Sequence, residues 1–391
     1  MLHFDKWVSK QGLTNEEEVN MKKIRFASIL LALTLISLIT VQSAWSIDNQ
    51  LWQPRPIPLG ISGGNINDIS KLYCCGGTLG ALVQDTNNAQ YILSNNHVLA
   101  KTNKGIIGDD IIQPGLIDQN PVCYKDYADA VADLSKFVPI LFKRGATNRV
   151  DAAIAKIRDG AVDTSGTILD IGEVSNSTVL PTLSMPVKKS GRTTGLTSGT
   201  ITATNVTVNV TYNKSCGIGS QTAKFINQVM IGPGGFSGGG DSGSLIVEDC
   251  SPYPRAVGLL FAGSDTVTVA NPITNVLALL GVSMVGTTTY CSSLVTTTGT
   301  SDSMTAESQL PPQVNQKAIE AVNKVKDRNE EAILKIEGVV GMGIGISETV
   351  PGKVVIEVYV KKFAHEMRNI VPEMLENIPV KIVETGEIIA Y

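Results

Sequence analysis

From about residue 60 to residue 273 the apolar residues come in short runs separated by Gly, Asn, Asp and Pro. The runs TLGALV, QYILS, AAIAKI, GTITATNVTVNVTY, SLIV, AVGLLF and TVTVA are rich in β-branched residues and bounded by turn formers, which predicts strands. Short strands without helical runs between them point to an antiparallel barrel or sandwich rather than a parallel sheet with crossover helices. Pro272 then opens ITNVLALLGV, whose apolar spacing predicts a short closing helix with proline in its first turn.

Beyond this point the pattern changes. Residues 283–312 are rich in Thr and Ser and end in LPP, as a linker would. Charged residues are denser after it, so residues 313–391 read as a separate small α+β domain. Its expected helix runs from about residue 314 to 335, with Val314, Ala318, Ala321, Val322 and Val325 on one face. The strands VVGMGIGI, VVIEVYV, VKIVE and EIIAY follow and are expected to form a small antiparallel sheet. GMGIG comes after a helix rather than before one, which excludes a dinucleotide fingerprint. The alternation of Gly341, Gly343 and Gly345 instead suggests a strand face on which the helix packs closely.

The one long apolar segment, residues 26–41, follows Met21 and KKIR and precedes SAWS. It is short of the roughly 20 residues of a spanning helix and has the order of a secretory signal. Residues 21–46 are therefore expected to be a signal peptide cleaved after Ser46, and residues 1–20 a non-translated extension. The mature chain is then secreted or periplasmic, with no stable membrane anchor. Export lets Cys74, Cys75, Cys123, Cys216, Cys250 and Cys291 form disulfides, although spacing does not give the pairing. No C-x-x-C pair or His/Cys cluster occurs, so neither zinc nor another cofactor is expected. A net charge of −4 without a basic run argues against a nucleic-acid partner.

The candidate chemistry centres on GGGDSGSLIV, which contains Ser242. A serine hydroxyl attacks only when a base removes its proton. The chain has three histidines: His3 precedes the signal and His365 lies in the C-terminal domain, leaving His97 at the end of YILSNNHVLA. A carboxylate must then orient the imidazole. Asp151 heads VDAAIAKI among apolar neighbours and ranks above Asp129 and Asp133, which lie in the more polar YADAVADL.

LSNNHVLA, VDAAIA and GGDSGSLIV, in that order, resemble the chymotrypsin-like (trypsin-fold) serine peptidases, above all their secreted bacterial branch, over roughly residues 60–282. The resemblance implies a mainly β fold for residues 47–282: two antiparallel six-stranded barrels, with His97 and Asp151 from the first and Ser242 from the second. It implies a secreted serine endopeptidase acting on polypeptides through an acyl-enzyme. His97 would be the base, Asp151 would hold its ring, and the backbone amides of Gly240 and Ser242 would form the oxyanion hole.

LLFAGS is similar to the strand that pairs with substrate, so Phe261, Ala262, Gly263 and Ser264 are expected to line the groove by strand addition. The same resemblance implies that Phe236, six residues before Ser242, lies at the base of the primary pocket; with no carboxylate and no spare histidine there, a medium-sized uncharged side chain is expected. KKSGRTTGLTSGTI is similar to the opening strand of the second barrel, which gives Arg192 a structural role. ISGG, residues 61–64, is similar to a freshly cut N-terminus, but no basic residue precedes it, so Asp241 is expected to meet another partner. The C-terminal domain is a candidate for intramolecular contact with the barrels. The alternative is a catalytically weak scaffold of the same fold whose C-terminal domain recruits a partner.

Overall fold

The structure, a computed structural model, describes residues 48–291 and 315–391; residues 1–46 and the 292–312 part of the expected linker lie outside them. Seven strands build the first half: β1 Ile61–Asn65, β2 Gly77–Leu79, β3 Ala81–Gln84, β4 Gln90–Ser94, β5 Asp110–Ile112, β6 Ala130–Phe137 and β7 Ala153–Ile157. They pair in the order β3-β4-β7-β6-β5-β1-β2. Only Gly80 separates β2 from β3, so these are two halves of one bent strand, and the sheet closes into a six-stranded antiparallel barrel. Ile61, Leu79, Leu82, Ile92, Leu93 and Ile154 are among the buried residues of its core.

The second half repeats the architecture with β8 Pro186–Gly191, β9 Gly195–Ser215, β10 Ile218–Gly232, β11 Leu245–Glu248, β12 Ala256–Gly263 and β13 Thr268–Pro272. The order β10-β13-β12-β11-β8-β9, closed by β9 pairing with β10, is a second six-stranded ring. A helical turn, α1, spans Asn96–Leu99. The closing helix α2 spans Ile273–Leu280, with Pro272 at its N-cap and left-handed Gly281 ending it. The expected linker does not begin at residue 283: β14, Ser283–Met284, pairs with β3, and Cys291 is bonded to Cys250. The other disulfides are Cys74–Cys123 and Cys75–Cys216.

The C-terminal part is α+β: α3 Gln316–Ile333, β15 Val339–Ile346, β16 Val354–Val360, α4 Ala364–Met367, β17 Met374–Leu375, β18 Ile378–Glu384 and β19 Ile389–Ala390. Its sheet is mixed and not antiparallel, since β18 runs parallel to β16 with Ile356 beside Val380. Nor does the sheet stand alone. β8 pairs with the first residues of the 21-residue β9, and further along the same edge β15 takes over, with Met342 opposite Thr207. Val340, Tyr359 and Ile388 thereby join the core of β9 and β10 around Val206, Val208 and Phe225.

Helix α3 packs through Val322, Val325 and Ile333 on Met342 and Ile344, while Ala321 is exposed. The glycine face of β15 points the other way. A side chain at Gly341 would strike the Thr207 carbonyl of β9, one at Gly343 would strike Tyr359 and Val206, and one at Gly345 would strike Glu357, so these glycines make room for β9 and β16 and not for the helix.

Candidate active site

The pairing of β4 with β7 sets Ser94 opposite Ala153, which brings the residues just after β4 beside those just before β7. His97, on α1, thus meets Asp151 although they are far apart in sequence. His97 Nδ1 lies 2.6 Å from Asp151 Oδ2, and the His97 backbone N–H donates to Oδ1 at 3.2 Å. Asp151 is fully buried. Asn95 Nδ2 holds its carbonyl at 2.7 Å, and its own N–H donates to Asn271 Oδ1 at 3.1 Å. A third donor reaches the carboxylate from β9: the Tyr212 hydroxyl, 2.8 Å from Oδ2.

Burial alone would lower the His97 pKa, but the charge and hydrogen bond of Asp151 outweigh it and hold the imidazole above its ordinary value. Burial, reinforced by the Asp151 charge, pushes the Tyr212 phenol well up, so it stays a donor. Asp129 and Asp133 are elsewhere: Asp129 accepts from Trp52 and Gln119, and Asp133 pairs with Arg158. His365 is exposed in α4.

Ser242 lies in the turn between β10 and β11, which docks on the first barrel. Thr78 N–H donates to Ser242 O at 2.8 Å and Thr78 Oγ1 to Gly240 O at 3.0 Å. Gly80 permits this approach, because a side chain there would collide with the Gly243 carbonyl. Gly240 has φ +100 and no room for a Cβ beside Thr193 and Arg192. Among the described residues, the N–H groups of Gly240 and Ser242 donate to no protein acceptor.

The turn is anchored through Asp241, a buried carboxylate that accepts from the N–H of Thr193 (2.8 Å), Thr194 (3.1 Å) and Gly238 (2.9 Å) and from Thr194 Oγ1 (2.7 Å). Lys189 Nζ, itself buried, stands 3.6 Å away as its counter-charge. Ile61, by contrast, is an interior residue of β1. Arg192 makes a two-pronged ion pair with Asp118, each contact 2.6 Å.

Phe261, Ala262 and Gly263 form the end of β12, and one of the protein's own strands lies on them. Ala390 of β19 stands opposite Ala262, and Ile389 opposite Gly263. Tyr391 N–H approaches Phe261 O at 3.4 Å, its hydroxyl donates to Ser264 O at 3.0 Å, and its main-chain oxygen is 2.8 Å from His97 Nε2. Ser242 Oγ donates to the same Phe261 carbonyl at 3.1 Å. Phe236 is buried among Val187, Ile201, Val229 and Val257, in the apolar cluster against which Tyr391 packs. Tyr212, Lys189 and residues 389–391 were not expected at the site. Each reaches it through tertiary pairing, and no local pattern around them carries the signal.

No family model matches the chain, and no curated protein matches it in sequence. Among solved structures, a glutamic-acid-specific serine protease described as using a histidine triad in substrate binding is 21% identical, with a TM-score of 0.40 over 58% of this chain and 100% of its own. Thermobifida fusca protease A is 17% identical, with a TM-score of 0.39 over 59% of this chain and 98% of its own. Cellulomonas bogoriensis chymotrypsin is 18% identical, with a TM-score of 0.37 over 59% and 99%. Two six-stranded antiparallel rings with a cleft at their junction, extended by a C-terminal α+β part, are the double barrel that the sequence resemblance implies.

Proposed function

We propose that the protein is a secreted or periplasmic serine endopeptidase. In this reading His97 takes the proton from Ser242 Oγ as the hydroxyl attacks a peptide carbonyl, and returns it to the leaving amine when the acyl-enzyme forms. Asp151 keeps the Nδ1 proton in place and stabilises the imidazolium, with Tyr212 sharing the carboxylate. The unpaired N–H groups of Gly240 and Ser242 receive the oxyanion; one such donor is typically worth ~3 kcal/mol. The observation that carries the reading is the 2.6 Å contact between His97 and a buried carboxylate, made beside a serine turn with two free amides. Three disulfides suit an oxidising compartment.

One observation favours a second reading, a scaffold with little turnover: Ser242 Oγ and His97 Nε2 are each engaged with main-chain oxygens, of Phe261 and Tyr391 respectively. Labelling by a fluorophosphonate separates the two. The peptidase reading requires Ser242-dependent labelling, lost in Ser242→Ala, and a fall in turnover of about 10⁶ in that variant. A folded protein that never labels at Ser242, even with residues 389–391 removed, rejects it.

A further inference from the structure

We propose that residues 389–391 are a built-in occupant of the peptide groove, and that the side chain they seat names the substrate class: polypeptides with an aromatic residue on the acyl side of the cleaved bond. The inference rests on the peptidase reading and adds to it a regulator and a specificity. A peptide adds to a sheet edge by main-chain hydrogen bonds, while side-chain pockets select what binds. β19 makes the main-chain pairing with Ala262 and Gly263, and the Tyr391 N–H and oxygen reach Phe261 O and His97 Nε2. Tyr391 therefore holds the place of the residue whose carbonyl would be attacked.

Its ring lies against the apolar cluster that contains Phe236, and its hydroxyl finds Ser264 O. Gly263 leaves the space, since a side chain there would collide with the phenol. The acceptor is a neutral carbonyl, which satisfies a hydroxyl and offers an ammonium or guanidinium no counter-charge. Of the two carboxylates that act on the Tyr391 phenol, Asp241 is already engaged by Lys189 and the Thr193, Thr194 and Gly238 donors, and Asp265 is exposed to water.

The occupied site is also chemically idle. The Asp151 carboxylate and the Tyr391 main-chain oxygen can only accept, so both ring nitrogens of His97 must donate. An imidazole that already carries both protons cannot take the one on Ser242. Occupation blocks the groove and withdraws the base by the same contact.

The test compares fluorophosphonate labelling of three chains: the full chain, a chain stopped at Ile388 and full-length Tyr391→Gly, with folding checked by circular dichroism. Labelling is expected to rise roughly tenfold or more in both variants, and added acetyl-Ile-Ala-Tyr should slow the chain stopped at Ile388 again. That shortened chain should cleave a peptide library after Tyr and Phe at least roughly tenfold faster than after Lys, Glu or Ala. Equal labelling of all three chains overturns the occupant and leaves the peptidase reading intact. Faster labelling combined with cleavage after a non-aromatic residue overturns the substrate class. If no folded chain labels, the peptidase reading falls, and calorimetry of acetyl-Ile-Ala-Tyr with the chain stopped at Ile388 decides the rest: binding upholds occupancy, and no binding removes it.

Discussion

At the scale of single residues, the site depends on a carboxylate that three groups share. Tyr212 and His97 Nδ1 both address Asp151 Oδ2, so removing the phenol leaves a buried charge one donor short. A hydrogen bond to a charged group is worth about 1.5–3 kcal/mol. Tyr212→Phe should lose stability of that order in urea unfolding. Its less neutralised Asp151 should also pull harder on His97, moving the acid limb of the pH–rate profile upward; an unmoved limb would make Tyr212 merely structural. Asp68 acts on the same imidazole from the loop after β1. Burial raises its pKa to about 6 against the lowering pull of Lys101, His97 and Lys104. Because the folded protein holds that proton more tightly than the unfolded chain, Asp68 favours folding most below about pH 4, and the benefit disappears as pH rises through 6. Asp68→Asn should therefore raise the Tm at pH 8 and leave it nearly unchanged at pH 4. It should also lower the His97 pKa, since the Asp68 charge helps to raise it. The contact of His97 with Asp151 was legible in sequence because histidine is scarce and both motifs sit at strand ends. Tyr212 was not, because in a β-rich run a tyrosine that packs and a tyrosine that donates look the same.

At the scale of elements, each of the seven quoted β-rich runs contributes to a strand, because β-branched residues bounded by turn formers suit a packed sheet. β10 leaves no continuous β-rich run in the sequence, because IGSQTAKFINQVMIG is polar where its hairpin with β9 extends outward and apolar only where it enters the barrel. The parallel direction of β18 differs from the antiparallel expectation because pairing direction leaves no mark in a short strand. The turn that carries Ser242 shows a different limit. Its aspartate was legible as a buried acid needing a partner, but the partner, Lys189, is an interior residue of β8 whose fully buried side chain composition would place outside. Burial lowers the Lys189 pKa while Asp241 opposes the shift. Lys189→Met should leave the carboxylate without a counter-charge and cost about 3–5 kcal/mol in unfolding experiments. The double variant with Asp241→Asn should recover part of that loss, as a coupled pair does and independent sites do not.

At the scale of the whole molecule, the C-terminal part does two separable things, and the boundary between them lies at Ile388. Up to that residue it extends the sheet and core of the second barrel. β15 covers the edge of β9, Val340, Tyr359 and Ile388 enter the core, and Thr207 bonds Glu330 of α3. Beyond it, three residues occupy the groove. A chain stopped at Leu310 bares the β9 edge around Ala203 to Val208 together with its apolar face, which is the arrangement that recruits foreign strands. A chain stopped at Ile388 keeps both covered. Both lack the occupant, so both should label at Ser242 faster than the full chain while folded, but only the Leu310 chain should show a lowered Tm and concentration-dependent aggregation in light scattering. If the Leu310 chain proved as stable and monomeric as the full one, the shared core would be incidental. If the Ile388 chain lost stability as well, the last three residues would belong to the barrel's structure and not to its control.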